Sequence, residues 1–279
     1  MNRGGRFQFL VAAVAALGSI ALSASALAAS KAFMFAGQRI APGETVRADV
    51  PLTDLQRKFA TEGGNTPPAQ AVAVLAVPPG FDPRKPWPVL IVFSTDDFKR
   101  LDRDDLAQFY RADALAEGWV ILAGDGPEFP RPGTPSWRAG MTLAALDALY
   151  RSFPGSSKWP VACAGYSGGA KQSGYLAPLL SLAGCRIIGL YLTGINFDQL
   201  SRGYQTLRPG RNFLRTPVFI SFGASDRIAP PHSQMAVKLS AEKTGFERVR
   251  LETFAGGHRV EHSHVRAALR WFRALAAAP

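Results

Sequence analysis

Five segments of this chain are apolar along almost their whole length: 88–94, 119–124, 161–165, 185–192 and 216–223. Each is short and lacks the polar alternation of a half-exposed strand, as expected of strands buried on both faces. Strands of this kind make parallel sheets, and parallel sheets need helices on both sides. The intervening segments supply them. Segment 102–116 has helical spacing, with Leu106, Phe109, Tyr110, Ala114 and Leu115 on one side. Segment 136–153 follows, with Ser136 as the expected N-cap, and then 168–182, 230–244 and 262–278. In the last of these Val265, Leu269, Phe272 and Leu275 face inward. Segments 70–77 and 249–254 add two strands, and 31–51 a short strand or two. Glycine and proline mark 61–69 and 125–134 as loops, and 194–216 reads as a loop-rich excursion. The expected fold is α/β, three-layered, with a mostly parallel sheet and helices on both faces. No repeat or linker divides 29–279, so one domain is expected there.

Residues 1–28 have a different pattern. Arg3 and Arg6 precede an apolar run from Phe9 to Leu22, and Ala26-Leu27-Ala28 has the small-x-small form of a cleavage site. This pattern predicts a cleaved signal peptide and an exported protein, periplasmic or secreted. No later apolar run reaches the ~20 residues of a spanning helix, so no stable membrane insertion is expected. The net charge is +11, and two of those charges belong to the leader arginines. The remaining cations are scattered and form no basic run interleaved with aromatics, which argues against nucleic acid as a partner. Cys163 and Cys185 lack metal-type spacing. They fall in adjacent expected strands, which leaves either a disulfide or two buried thiols.

Val161 to Lys171 reads as a strand, then Gly165-Tyr166-Ser167-Gly168-Gly169, then a helix. A serine at such a turn has a strained backbone and an exposed hydroxyl, and the helix N-terminus behind it offers free N–H groups. A serine hydroxyl needs a base, and the base needs an orienting acid. Of the four histidines, His258 follows Gly256-Gly257 on the loop between the last strand and the last helix. It is the expected base. His262 and His264 begin the last helix and are expected to face solvent or to serve as helix-end residues, and His232 has a surface or capping role. Asp226 follows a strand's carboxyl end and is the favoured acid; Asp198, in the loop after the preceding strand, is the competitor.

The order Ser167, Asp226, His258, with these flanking motifs, resembles the α/β-hydrolase superfamily over roughly residues 70–278. The elbow Gly-x-Ser-Gly-Gly-Ala and the expected export are similar to secreted esterases of the feruloyl-esterase and polyhydroxyalkanoate-depolymerase type. The resemblance implies a serine hydrolase, most simply a carboxylic ester hydrolase, acting through an acyl-enzyme on a small-molecule or polymer-linked ester with no metal or cofactor. It also implies an oxyanion hole made by the N–H of Gly168 and a donor from the loop after the central strand, here Thr95. Many esterases carry His-Gly in that loop, whereas Phe93-Ser94-Thr95-Asp96-Asp97 has no glycine. Asp96 and Asp97 are then expected to cap the helix that follows. Tyr166 is expected to pack beside the elbow and Lys171 to be structural or solvated. Loops 124–134 and 197–215 are the candidate pocket rim, with Trp137, Phe197 and Tyr204 either touching substrate or packed inward. A peptidase or amidase of the same fold, and a non-catalytic envelope protein that keeps the fold for binding, stay open as alternatives. Nothing in the sequence sets the oligomeric state.

Overall fold

The computed structural model describes residues 32–95, 99–131 and 135–277; the expected leader, 1–28, lies outside them. A hairpin of β1 (Phe33–Phe35) and β2 (Gln38–Ile40) leads into β3 (Thr45–Pro51), α1 (Asp54–Thr61) and β4 (Gln70–Ala76). Then come β5 (Val89–Phe93), α2 (Asp102–Asp105), a π-helical turn (Leu106–Tyr110), α3 (Arg111–Ala116), β6 (Val120–Asp125) and α4 (Pro135–Ser152). The second half runs β7 (Val161–Tyr166), α5 (Gly168–Leu182), β8 (Ile187–Thr193), α6 (Gln199–Leu207) and β9 (Val218–Gly223). It closes with α7 (Pro231–Thr244), β10 (Val249–Phe254) and α8 (His262–Ala277).

Eight strands form one sheet in the order β10-β9-β8-β7-β5-β6-β4-β3. The six from β6 to β10 are parallel, and β3 and β4 add an antiparallel edge. The period of two along each strand sorts its side chains to opposite faces. Ile91, Phe93, Leu122, Cys163, Leu190 and Ile220 pack on one side with Met141 and Leu149 of α4 and Ala170 and Leu176 of α5. Leu90, Val92, Ile121, Ala164 and Phe219 pack on the other with Leu106, Tyr110 and Ala114 and with Val265, Leu269 and Phe272 of α8. The three-layer, mostly parallel architecture expected from the apolar runs is therefore the one found.

Three expectations change, and one left open is decided. The 31–51 segment makes three strands. Ser136 is not an N-cap: α4 already includes Pro135, whose missing N–H costs nothing at a helix start. The 194–216 excursion contains α6, capped by Asp198, whose Oδ1 accepts from Ser201 N at 2.9 Å. Cys163 and Cys185 are both buried free thiols, with Cys185 Sγ 3.5 Å from Tyr150 Oη. Burial pushes the Cys163 thiol well above its usual range, so it is inert packing.

Candidate active site

β5 lies between β6 and β7, and the helices that follow β5 and β7 cover opposite faces of the sheet. The chain therefore parts at the carboxyl ends of β5 and β7, which is where open α/β sheets leave a crevice for ligands. One wall of this crevice is Ser94 and Thr95, after β5. The other is Ser167 and Gly168, after β7.

Ser167 has φ 58° and ψ −116°, one of three non-glycine residues with positive φ among the described residues. L-residues avoid this region, so the turn must be imposed by its surroundings. Ser167 N donates to Thr193 O of β8 at 2.8 Å, and Ser167 O accepts from Ala170 N at 3.1 Å. A Cβ on Gly165 would lie 2.1 Å from the Gly169 carbonyl, so only glycine lets strand and helix close this tightly. The Gly168 N–H opens the first turn of α5 and has no intrahelical acceptor.

The loops that carry Asp226 and His258 are joined beside this turn. Asp226 is buried, and its Oδ1 accepts from the N–H groups of Ile228 and Ala229, both at 2.9 Å. Its Oδ2 lies 2.8 Å from His258 Nδ1. The His258 imidazole is only 12% exposed and stacks obliquely on Tyr166 with ring centroids 4.8 Å apart. Its Cε1 lies 2.7 Å from where a Cβ on Gly194 would stand, so the ring occupies the space over the ends of β7 and β8. Tyr166 Oη donates to His258 O at 2.7 Å, which fixes the backbone of the histidine loop as well. The two loops also bind each other: Ser225 N and Oγ both donate to Gly256 O, at 2.9 and 2.8 Å. A Cβ on Gly223 would lie 2.3 Å from Gly257 O, so the approach is as close as backbone allows. Asp198 is occupied in capping α6, and Asp226 is the acid that meets His258.

Thr95 stands directly against the elbow. A Cβ on Gly168 would lie 2.1 Å from Thr95 Oγ1 and 3.0 Å from its Cα. The loop lacks glycine and is held instead by a buried charge network. Ser94 N donates to Asp102 Oδ1 at 2.7 Å, and Arg138 of α4 bridges the same Oδ1 and, at 3.2 Å, the Thr95 carbonyl. Asp125, at the end of β6, accepts from Asp102 N and Arg103 N, both at 2.9 Å. Arg138, Asp102 and Asp125 are all essentially inaccessible. Burial pushes both carboxyls above the usual range, while Arg138 and the backbone N–H donors oppose it. This network and the bond from Tyr166 to His258 O had no counterpart among the expectations, although Tyr166 does pack beside the elbow as expected. An aspartate ending a fully buried strand and an arginine within an apolar helix were the available signals. Asp96 and Asp97 lie outside the described residues; the α2 N-terminus is capped by Asp104, which accepts from Leu101 N at 2.7 Å.

The remaining residues sort out as follows. Of the two readings, His264 takes the helix-end one: it is half-buried in the first turn of α8, its Nδ1 2.9 Å from Ser221 Oγ, with Phe219 and Phe254 edge-on to it. Burial lowers its pKa, against the opposing pull of Glu252 and Glu261. His262 is half exposed, with Nδ1 2.6 Å from Asp113 Oδ2. His232 is exposed. Trp137 and Tyr204 pack inward, the latter against Phe213 and Phe246, whereas Phe197 is 56% exposed. No group of three or more His, Cys, Asp or Glu among the described residues is placed to hold a metal.

No protein-family model matches this sequence, and no curated protein matches it. Solved structures do. The fluorophosphonate-binding serine hydrolase FphF of Staphylococcus aureus aligns over 83% of this chain and 98% of its own, with TM-score 0.57 and 12% identity. A truncated carbohydrate esterase from gut microbiota aligns over 84% and 97%, with TM-score 0.56 and 10% identity. The Pyrococcus furiosus esterase Pf2001 aligns over 83% and 90%, with TM-score 0.51 and 15% identity. At these identities the likeness establishes the fold: the chain is a three-layer α/β-hydrolase fold.

Proposed function

We propose that this protein is a serine hydrolase that cleaves carboxylic esters through an acyl-enzyme. The observation that carries this reading is the His258 imidazole, bonded to Asp226 and held over the end of β7, where Ser167 sits on its strained turn. In the proposed mechanism Ser167 Oγ attacks the ester carbonyl and His258 Nε2 takes its proton. Asp226 keeps the proton of Nδ1 in place and stabilises the imidazolium. The N–H groups of Gly168 and Thr95 receive the oxyanion. His258 then protonates the leaving alcohol, and a water activated by the same nitrogen releases the acid. No step draws on a metal or cofactor. Fold alone does not fix function, but FphF and the carbohydrate esterase share this scaffold, and both are hydrolases by name. The elbow sequence supports the narrower likeness to secreted feruloyl esterases and polyhydroxyalkanoate depolymerases. The leader pattern of residues 1–28 supports action outside the cytoplasm.

A fluorophosphonate probe tests the nucleophile directly. The purified protein is expected to label stoichiometrically, and Ser167→Ala to lose all labelling. Labelling that persists in the variant means another residue reacts and removes Ser167 from the mechanism. A panel of aryl esters, short-chain alkyl esters and peptidyl amides then reads the substrate class, with turnover expected on the esters.

Gly168→Ala tests the second wall. The added methyl would sit 2.1 Å from Thr95 Oγ1, so Thr95 must move off the elbow. Loss of one oxyanion donor typically lowers kcat by about 10²–10³. That decrease is expected here with an unchanged circular dichroism spectrum; a kcat within threefold of wild type would place the oxyanion elsewhere.

A further inference from the structure

A second recess opens on the same side of the molecule, one helical turn along α5 from Ser167. Its cavity is about 270 Å³ and is lined by Pro135, Lys171, Gln172, Tyr175, Gln199 and Arg202. The lining holds two cations, two amides and a phenol, and no carboxylate. Asp198, which precedes Gln199 in sequence, is turned back onto Ser201 N. Lys171 Nζ is 3.4 Å from Asn196 Oδ1, and Asn196 Nδ2 donates to Ile228 O at 3.4 Å, beside the Asp226 loop. Neither Lys171 nor Arg202 makes an ion pair among the described residues, whereas Arg250, Arg259, Arg266 and Arg270 do. The recess is framed rather than fluid, because Leu176 of α5 and Leu200 of α6 belong to one core, with Tyr175 and Tyr204 packed on it.

Two cations without counter-charges, beside donors and an aromatic wall, make a receptor for an anion. Lys171 follows Ser167 by four residues, which is about 6 Å along the helix axis. We infer that this recess is an anion subsite of the proposed hydrolase: the ester it cleaves carries a carboxylate roughly one helical turn from the scissile carbonyl. The carboxylate lies between Lys171 and Arg202, beside the amide of Gln199. The assignment rests on Ser167 being the nucleophile and narrows the substrate to acidic esters. Such substrates are also drawn toward a chain of net charge +11.

The test compares the mono-4-nitrophenyl ester of adipic acid, whose free carboxylate has the required reach, with the same compound capped as its methyl ester. Wild type is expected to favour the acidic ester in kcat/KM by about tenfold at low salt, with the preference shrinking as salt screens it. In the Lys171→Gln/Arg202→Gln double variant the ratio is expected to fall to about one. Arg202→Lys, which keeps the charge, is expected to retain most of it. Arg39→Gln, on the remote hairpin, removes a charge and is expected to leave the ratio as in wild type. A wild type that labels with fluorophosphonate yet turns over both esters equally overturns the subsite alone. So does a double variant that keeps the preference. A wild type that does not label overturns the hydrolase reading and the substrate class with it.

Discussion

Replacing Asp226 by asparagine is expected to lower kcat by about 10⁴, or roughly 5.5 kcal/mol of barrier. The size follows from which oxygen is fixed. Asp226 Oδ1 accepts two backbone N–H bonds, from Ile228 and Ala229, and only an oxygen can stay there. The amide nitrogen of the asparagine must then take the place of Oδ2 and point an N–H at His258 Nδ1. His258 answers with its other tautomer, in which Nδ1 accepts and Nε2 carries the hydrogen. A histidine in that form cannot take the proton of Ser167. Shape and burial barely change, so the melting temperature should move little while turnover collapses. Steady-state kinetics on an aryl ester, alongside thermal melting, reads both. A kcat within tenfold of wild type would mean that Asp226 does not set the tautomer.

Arg138→Met should be felt first in stability. Arg138 is 1% exposed and pairs with Asp102, which is itself inaccessible, close to Asp125. Removing one partner of a buried ion pair leaves an uncompensated charge, and such variants lose about 3–5 kcal/mol. Urea unfolding should show a loss of that order near pH 8. The loss should be smaller at pH 5. The folded-state pKa values of Asp102 and Asp125 are raised by burial, and without Arg138 that of Asp102 rises further. A carboxyl whose folded pKa exceeds its unfolded value takes up a proton on folding. Its penalty is therefore relieved as pH falls through the folded pKa and is fully felt above it. Turnover should also fall at temperatures where the variant is still folded, because the Thr95 carbonyl loses its tie to Arg138 Nη2. A variant within 1 kcal/mol of wild type at pH 8 would show that the network carries little of the load assigned to it.

Legibility followed the range of the interactions. The strands β5, β6, β7 and β9 were readable because burial on both faces leaves a continuous apolar run, a local signal. The elbow was readable because its glycines, strand and helix are neighbours in sequence. That a carboxylate would meet His258 was readable from the places of these residues after strand ends, although it needed the fold to decide between Asp226 and Asp198. α6 was not readable: Gln199 to Leu207 is mostly polar, with Gly203 inside it, and its stability comes from packing on α5 rather than from propensity. The Arg138 network was invisible for a different reason. Its members are 36 and 23 residues apart, and no periodicity links them. The choice between the two readings of His264 was not legible, because nothing local reveals that Ser221 lies opposite it.

The clasp between the Asp226 and His258 loops has a mechanical consequence. With Ser225 bonded twice to Gly256, Gly223 in backbone contact with Gly257, and Asp226 bonded to His258, the two loops have little freedom to slide past each other. Asp226 and His258 are thus held to each other on the loops that follow β9 and β10. Ser167 is carried separately, on β7 and α5. The clasp and the elbow thus meet across a seam. Tyr166, which belongs to the elbow strand yet holds the carbonyl of His258, is the tether that spans it.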